Sequence, residues 1–131
     1  MATSIQEFKG KTLMLNDLDL ILVVVIILRL ISKTPESVGL EHVAEHWKRA
    51  LASYGPGVLD LELDKLMGAP GDVSSLSTLL SRIEAELAPY GGIVPASVLN
   101  DLVFMPGIKF ADYQVQRIVT AGRLLREVLL T

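Results

Sequence analysis

The residues whose types and spacing could do chemistry are two histidines and a glutamate on one predicted helix. His42, Glu45 and His46 form an H-x-x-E-H pattern, which is typical of the zinc-binding helix in one class of metalloproteases. His42 and His46 are one helical turn apart, so both imidazoles can reach one zinc ion, with Glu45 beside them as a general base. A third ligand would come from a distant acid: Glu84, Glu86 or Glu127.

The neighbouring residues favour another interpretation of this pattern. Glu41, Lys48 and Arg49 flank the histidines, as is usual on the solvated face of a helix. A five-residue pattern arises easily by chance, and 131 residues is small for a metalloprotease with a substrate cleft. We therefore expect two surface histidines, no metal and no cofactor. A small zinc-dependent hydrolase is the weaker alternative.

Little other catalytic chemistry is offered by the sequence. The chain has no cysteine, which excludes disulfides, thiolate metal sites and a cysteine nucleophile. Asp60, Glu62 and Asp64 could gather a divalent cation if their segment were extended, but no glycine-bearing calcium loop surrounds them. The pair Gly91-Gly92 lacks the lysine of a phosphate-binding loop. We expect a protein that is not an enzyme.

Charge and composition narrow the class of partner. Fifteen acidic and twelve basic residues give a net charge of −3, so there is no general basic field for nucleic acid. Aromatic residues make up only 5% of the chain, which argues against a base-stacking surface. Residues 36–72 hold seven acids and three bases. Such a distribution either orients a basic protein partner or marks a solvated face.

The apolar run over residues 18–31 is the most unusual stretch. Its uninterrupted core, Leu20–Leu28, has nine residues, whereas a membrane-spanning helix needs about twenty. Asp17 and Asp19 lie where a secretory signal carries basic residues. We therefore expect a cytoplasmic protein in which a helix from about Asp17 to Ser32 is buried on nearly all sides. A membrane-associated accessory protein that uses this run is an alternative.

The secondary structure of two segments is left open. The β-branched block at residues 23–27 also fits a short strand within 18–31. In residues 58–66, leucines alternate with acids as in a strand, while leucine, glutamate and lysine favour a helix on propensity. Both segments are predicted as helices, and a short β element in either is not excluded.

Helical spacing dominates the rest of the chain. Residues 40–54, 76–87 and 112–129 each place apolar side chains at three- and four-residue intervals, and Asp112 is positioned to cap the last helix. Short linkers suit neighbouring helices packed together. The sequence therefore predicts an all-α fold, a compact bundle of about five helices that forms one domain over the whole chain. Residues 1–15 either join this bundle or form a loosely ordered N-terminal arm.

The order of several elements resembles a known set of proteins. Trp47, the leucine-rich helix at 76–87, the Gly91-Gly92 turn and Asn100-Asp101-Leu102 follow one another as in some small uncharacterised bacterial domains. The resemblance covers roughly residues 40–104. It implies no catalytic residue, because no activity is established for these domains. It implies a bacterial protein that binds another protein, since small acidic domains of this kind often act as immunity proteins or antitoxins.

These observations favour a small acidic protein-interaction module of the immunity, antitoxin or adaptor type, whose partner is a toxin or another basic protein. We expect neither nucleic acid nor a membrane as a partner. A homodimer is expected as well, because a helix with hardly any polar side needs cover, and a two-fold dimer commonly provides it. The expected interface residues are Trp47, Leu22, Val24, Ile27, Tyr90, Asn100 and Asp101.

Overall fold

The computed structural model describes residues 2–34, 39–103, 105 and 107–130, and most of them are helical. The predicted all-α class is therefore correct for the dominant element type but omits two small antiparallel sheets, of two strands each. The strands are β1 (Thr3–Phe8), β2 (Lys11–Asn16), β3 (Ile93–Val94) and β4 (Tyr113–Gln114). The helices are α1 (Asp17–Lys33), α2 (Glu41–Ala52), α3 (Leu63–Leu66), α4 (Asp72–Leu80), α5 (Ile83–Leu87), α6 (Ala96–Leu102) and α7 (Val115–Leu130).

The first two strands form a hairpin, where the sequence left open a loosely ordered arm over residues 1–15. The connecting dipeptide Lys9-Gly10 has positive φ angles of 50° and 81°, as a two-residue type I′ turn requires. The first part of β1 is inverted relative to a normal half-buried strand, because Ser4 and Gln6 point inward while Ile5 is 54% exposed; Phe8, at the end of the strand, is buried in the usual way. This inversion hides the apolar alternation by which strands are recognised in a sequence.

The helix predicted from about Asp17 to Ser32 is confirmed, and α1 lies at the centre of the fold. The Asn16 side chain caps it by accepting hydrogen bonds from the N–H groups of Leu18 (2.9 Å) and Asp19 (3.3 Å). Most of its apolar side chains are buried, against α2, α4, α5, α7 and β2. Each β-branched residue at 23–27 lowers helix propensity by less than about 1 kcal/mol. Four of the five are buried, which stabilises by about 1.5–3 kcal/mol for each, so packing decides.

The segment over residues 58–66 combines the two patterns left open for it. Leu59 and Leu61 are fully buried while Asp60 between them is exposed, as in an extended chain. Only α3 is helical, and it begins after Glu62, whose φ of 49° turns the backbone through the left-handed region. Strand-like burial here occurs without strand pairing among the described residues.

The helix predicted over residues 76–87 is interrupted between α4 and α5. A Cβ atom on Gly122 of α7 would lie 2.8 Å from Cδ1 of Ile83 on α5, so glycine permits this close approach of the two helices.

The capping role predicted for Asp112 is also wrong. Its carboxylate instead accepts a hydrogen bond (2.8 Å) from the N–H of Ala96, at the start of α6.

Trp47 joins α2 to the extended segment that precedes α3. Its side chain is fully buried, and its indole N–H donates a hydrogen bond to the carbonyl of Leu61 at 3.1 Å. The ring therefore supplies both apolar packing and the partner of a buried backbone oxygen.

We expect Trp47→Ala to lower the free energy of unfolding by about 3–5 kcal/mol, because it leaves a large cavity. Trp47→Phe keeps much of the ring but leaves the Leu61 carbonyl without its donor, so a loss of about 1–3 kcal/mol is expected. Urea unfolding followed by circular dichroism measures both. Losses below about 1 kcal/mol in both variants would contradict this role.

Candidate functional site

The two histidines of α2 hold the chain segment that follows. His42 Nε2 lies 2.9 Å from the carbonyl oxygen of Leu66 and 3.5 Å from Oδ2 of Asp72. His46 Nε2 lies 2.8 Å from Oε2 of Glu62. The one-turn spacing of the histidines therefore serves two separate contacts along residues 62–72.

The candidate ligands of the alternative zinc interpretation do not converge among the described residues. In the part of the chain that the structure describes, no group of three or more His, Cys, Asp or Glu side chains could hold a metal ion. His42 and His46 have separate partners, and Glu45 is exposed on α2. The third ligands considered from the sequence lie on other helices: Glu84 and Glu86 on α5 and Glu127 on α7.

The acidic residues Asp60, Glu62 and Asp64, before and within α3, are also dispersed. The Asp60 carboxylate accepts a hydrogen bond from the N–H of Glu62 (2.9 Å), and that of Asp64 accepts one from the N–H of Lys9 (2.9 Å). Glu62 itself faces His46. Each of the three acids therefore contacts a different part of the chain.

A buried polar network centres on Asp17, which the sequence analysis placed only among the acids before the apolar run. Its Oδ1 accepts a hydrogen bond from the Ser4 hydroxyl (2.5 Å), and its Oδ2 accepts from the Tyr54 hydroxyl (2.6 Å) and the Gly57 N–H (2.8 Å). The carboxylate is almost fully buried. These contacts join β1, α1 and the chain beyond α2.

The hydrogen bonds of Asp17 set the charge states of the network. Burial alone would raise the pKa of Asp17, but hydrogen bonds from Gly57, Ser4 and Tyr54 outweigh it and hold the pKa below its ordinary value. Burial, with the hydrogen bond to Asp17 and its charge, raises the pKa of Tyr54 to about 12. At neutral pH the network therefore contains a charged Asp17 and a neutral Tyr54.

Gln6 attaches the same hairpin to the extended segment. Its Nε2 donates to the Leu59 carbonyl (2.6 Å), and its Oε1 accepts from the Leu61 N–H (2.9 Å). The Ser4 hydroxyl oxygen accepts from the Leu59 N–H (3.1 Å). These side chains take the place of a third strand, which explains why polar residues face inward.

A second polar cluster fixes the start of α7 against α1. The Tyr113 hydroxyl donates a hydrogen bond to Asp19, and the Arg117 guanidinium lies 3.2 Å from Oδ1 of Asp19 and 4.9 Å from the centre of the Tyr113 ring. Burial, then the hydrogen bond to Asp19 and its charge, raises the pKa of Tyr113, while Arg117 opposes this rise. Tyr113 and Arg117 therefore both contact Asp19 and join α7 to α1.

One side of α1 remains open and forms the floor of an apolar groove. Val25, Leu28, Arg29 and Ser32 follow one another at i, i+3, i+4 and i+7, so they lie on one stripe of the helix. Val25 and Leu28 are half-buried, while Arg29 and Ser32 are exposed. The volume of the groove is about 630 Å³.

Two further elements complete the groove. Leu51 and its neighbours on α2 form the second wall, and the end of α6 with the residues after it forms the third. Each of the three helices contributes one exposed charged residue to the rim of the groove: Arg29 from α1, Lys48 from α2 and Asp101 from α6. Among the described residues, none of these three side chains takes part in an ion pair. The groove thus combines an apolar floor with unpaired charge.

Most of the predicted interface residues lie elsewhere. Four of them are enclosed by their own chain, with exposed fractions of 0–1%: Leu22, Val24, Ile27 and Trp47. These side chains can reach another protein only if the chain opens. Tyr90 is 39% exposed but does not line the groove.

The two adjacent residues Asn100 and Asp101, both predicted at the interface, have different roles. Asn100 forms hydrogen bonds within the chain, whereas Asp101 lies at the rim of the groove. Asn100 Nδ2 donates to the Phe110 carbonyl (2.9 Å), and its Oδ1 accepts from the Phe110 N–H (2.8 Å). These two bonds hold the chain that leaves α6, which carries Met105 of the groove wall. Asp101 itself lines the groove.

The sequence prediction placed interface residues on α1 and α2, but the groove is lined by other residues of these two helices. Arg29 and Ser32 share a helix stripe with Val25, and they are the polar residues in and just after an otherwise apolar run. This stripe was a usable signal for the least buried side of α1.

Asp17→Asn is expected to lower the free energy of unfolding at pH 7 by about 1.5–3 kcal/mol, since it weakens three hydrogen bonds to a charged group. The pKa of Asp17 is lower in the folded chain than in the unfolded one. Its stabilisation is therefore present above the unfolded pKa of about 4 and is lost as the pH falls through the folded pKa.

Urea unfolding of wild type and Asp17→Asn at pH 7 and at about pH 2.5 tests this linkage. The difference between the two proteins should shrink at the lower pH. Glu86→Gln, which removes an exposed carboxylate of α5, is the control and should change little at either pH. A difference for Asp17→Asn that is equal at both pH values would contradict the linkage.

Replacing both His42 and His46 with alanine should lower the free energy of unfolding by about 1–2 kcal/mol, because the hydrogen bond of His42 to Leu66 and the ion-pair contact of His46 with Glu62 are lost. Glu45→Ala, on the exposed side of the same helix, should stay within about 0.5 kcal/mol of wild type. Elemental analysis of the purified wild type should find no stoichiometric zinc. Zinc bound by the wild type and lost in the double variant would restore the metal interpretation.

Comparisons with known proteins identify no relative of this chain. No protein family, no curated protein and no solved structure matches it. Nor does any helix among the described residues have the length and apolar character needed to cross a membrane.

Proposed function

We propose that this protein is a small interaction module of the immunity, antitoxin or adaptor type, which acts by binding another protein and not by catalysis. The observation that carries this proposal is the groove between α1, α2 and the end of α6, with its volume of about 630 Å³. An apolar concave surface with a few well-placed polar groups is typical of a binding site. Apolar centres with charged rims are likewise typical of protein interfaces.

Packing and hydrogen bonds outside the groove support binding because they position two of the helices that form it, α1 and α6. The floor of the groove belongs to α1, which packs against α4, α5, α7 and β2 on its other sides. Its third wall is held by the two hydrogen bonds between Asn100 and Phe110. A partner that docks on a preformed surface loses less free energy to ordering than one that must shape its site.

The rim refines the chemistry expected of the partner. The overall acidity of the chain favours a basic partner, but the groove itself carries Arg29 and Lys48 against a single Asp101. Acidic side chains on the partner therefore suit two of the three rim charges. A cytoplasmic location, expected from the acidic residues before the apolar run, is part of the proposal.

The expected homodimer stays a prediction that needs another surface. With the core residues of α1 enclosed, a second copy could use the groove or the exposed pair Ile5 and Met14, which face each other across β1 and β2. A second copy bound in the groove would compete with another partner for the same surface.

Site-specific photo-crosslinking in living cells of the source organism tests the proposed function. A benzoylphenylalanine at Ser32 or Ala52, both exposed residues of the groove, should give a covalent adduct with another polypeptide, identifiable by mass spectrometry. The same group at Glu84, an exposed residue of α5 outside the groove, is the matched control and should give none.

The adduct should weaken when Arg29→Glu and Lys48→Glu are introduced together, because the rim charges are reversed. Circular dichroism confirms that each variant is folded. Adducts that form equally from Glu84, or only with a second copy of this chain, would contradict the proposal.

A further inference from the structure

We infer, resting on the function proposed above, that the groove receives a single amphipathic helix of the partner. This helix presents branched apolar side chains to the floor, acidic residues toward Arg29 and Lys48, and a basic residue toward Asp101. Backbone chemistry, groove length and rim charge each point to this occupant.

The backbone of the walls favours a helix over an extended segment. Groove residues on α1, α2 and α6 belong to helices, whose backbone groups bond internally. Of the two wall residues beyond α6, Val103 donates its N–H to Leu99 (2.9 Å) and Met105 accepts from Ile108 (3.2 Å). None of the described groove residues belongs to a strand. An extended segment would bury unsatisfied backbone groups here, whereas a helix satisfies its own.

The length of the groove matches a short helix. Val25 to Ser32 span seven residue steps of α1, which is about 10 Å at 1.5 Å per residue. A partner helix of about three turns covers this distance and places apolar anchors at i, i+3, i+4 and i+7. Leu51, Leu102 and Met105 lie beside the floor to receive them.

The rim charges supply the selectivity. Arg29 and Lys48 stand on α1 and α2, and Asp101 stands on the third wall, all exposed and without an ion pair among the described residues. A helix with glutamates on one flank and lysines on the other can pair with all three. A helix with lysines on both flanks would face two like charges, which weakens binding.

A second copy of the chain fits this description poorly. An occupant helix needs an exposed apolar stripe. Among the described residues, however, the exposed large apolar side chains are Ile5, Met14, Val58, Tyr90, Ile93 and Leu130, and of these only Leu130 lies on an α-helix. The occupant we infer is therefore a helix of a different protein.

Synthetic helical peptides of eighteen residues, titrated into the full chain by calorimetry, test this inference. The first carries leucines at i, i+3, i+4 and i+7 with glutamates on one flank and lysines on the other. The second carries lysines on both flanks. The third repeats the first with a central proline, which breaks the helix at a cost of about 3 kcal/mol.

We expect the mixed-charge peptide to bind about tenfold more tightly than the lysine peptide, and the proline peptide to bind at least tenfold more weakly than the mixed one. The double variant Arg29→Glu and Lys48→Glu should reverse the preference between the first two. Amide shifts in a nitrogen-15 spectrum should concentrate at residues 25–32 and 48–52.

Equal binding of the proline peptide, or a preference unchanged by the double variant, would overturn the inference. Crosslinks from Ser32 and Ala52 without any peptide selectivity would leave the proposed function standing and remove only the helical occupant. Absence of both crosslinks and peptide binding would remove both proposals. A dimer that peptide dissociates would assign the groove to a second copy instead.

Discussion

A single buried carboxylate joins parts of this fold that lie far apart in the chain. Asp17 accepts hydrogen bonds from Ser4, Tyr54 and Gly57, so β1, the N-terminus of α1 and the chain beyond α2 meet at one group. A buried charge is destabilising unless hydrogen bonds satisfy it, and removing one donor leaves the others with an under-solvated carboxylate. The hairpin, α1 and the extended segment therefore depend on one another, and none of them completes this network alone.

Polar contacts hold one end of α1 and apolar contacts hold the other, and this difference explains where the groove lies. The N-terminal end of α1 is held by Asp17 and by Asp19, which contacts Tyr113 and Arg117. Its C-terminal half is held by apolar packing, and on that half one stripe, from Val25 to Ser32, is left uncovered. Polar contacts fix the direction of the helix, so the open stripe is presented at a defined angle to α2 and α6.

Local periodicity predicted the helices well, because their apolar spacing is visible within a dozen residues. The hairpin could not be found this way, since Ser4 and Gln6 face inward to bond backbone groups more than fifty residues away. Of the groove, only Asp101 was predicted. The other sides of the groove form only when α6 packs beside α1 and α2. This packing is tertiary structure, which a local sequence pattern does not reveal. The zinc alternative for the H-x-x-E-H pattern also depends on tertiary structure, because a third ligand must come from elsewhere in the chain. The described residues contain no group of three such side chains that could hold a metal ion.

The contrast between satisfied and unsatisfied polar groups is the best guide to function in this chain. Inside, Ser4, Gln6 and Asp17 all have hydrogen-bond partners, and these groups stabilise the fold. Unpaired surface charges are ordinary when scattered, since water solvates them well. Arg29 and Asp101 stand instead around one apolar floor, where a docked partner would displace water from both the charges and the floor. Such an arrangement does little for the stability of a lone chain, but under the proposed function it would give a partner both affinity and selectivity.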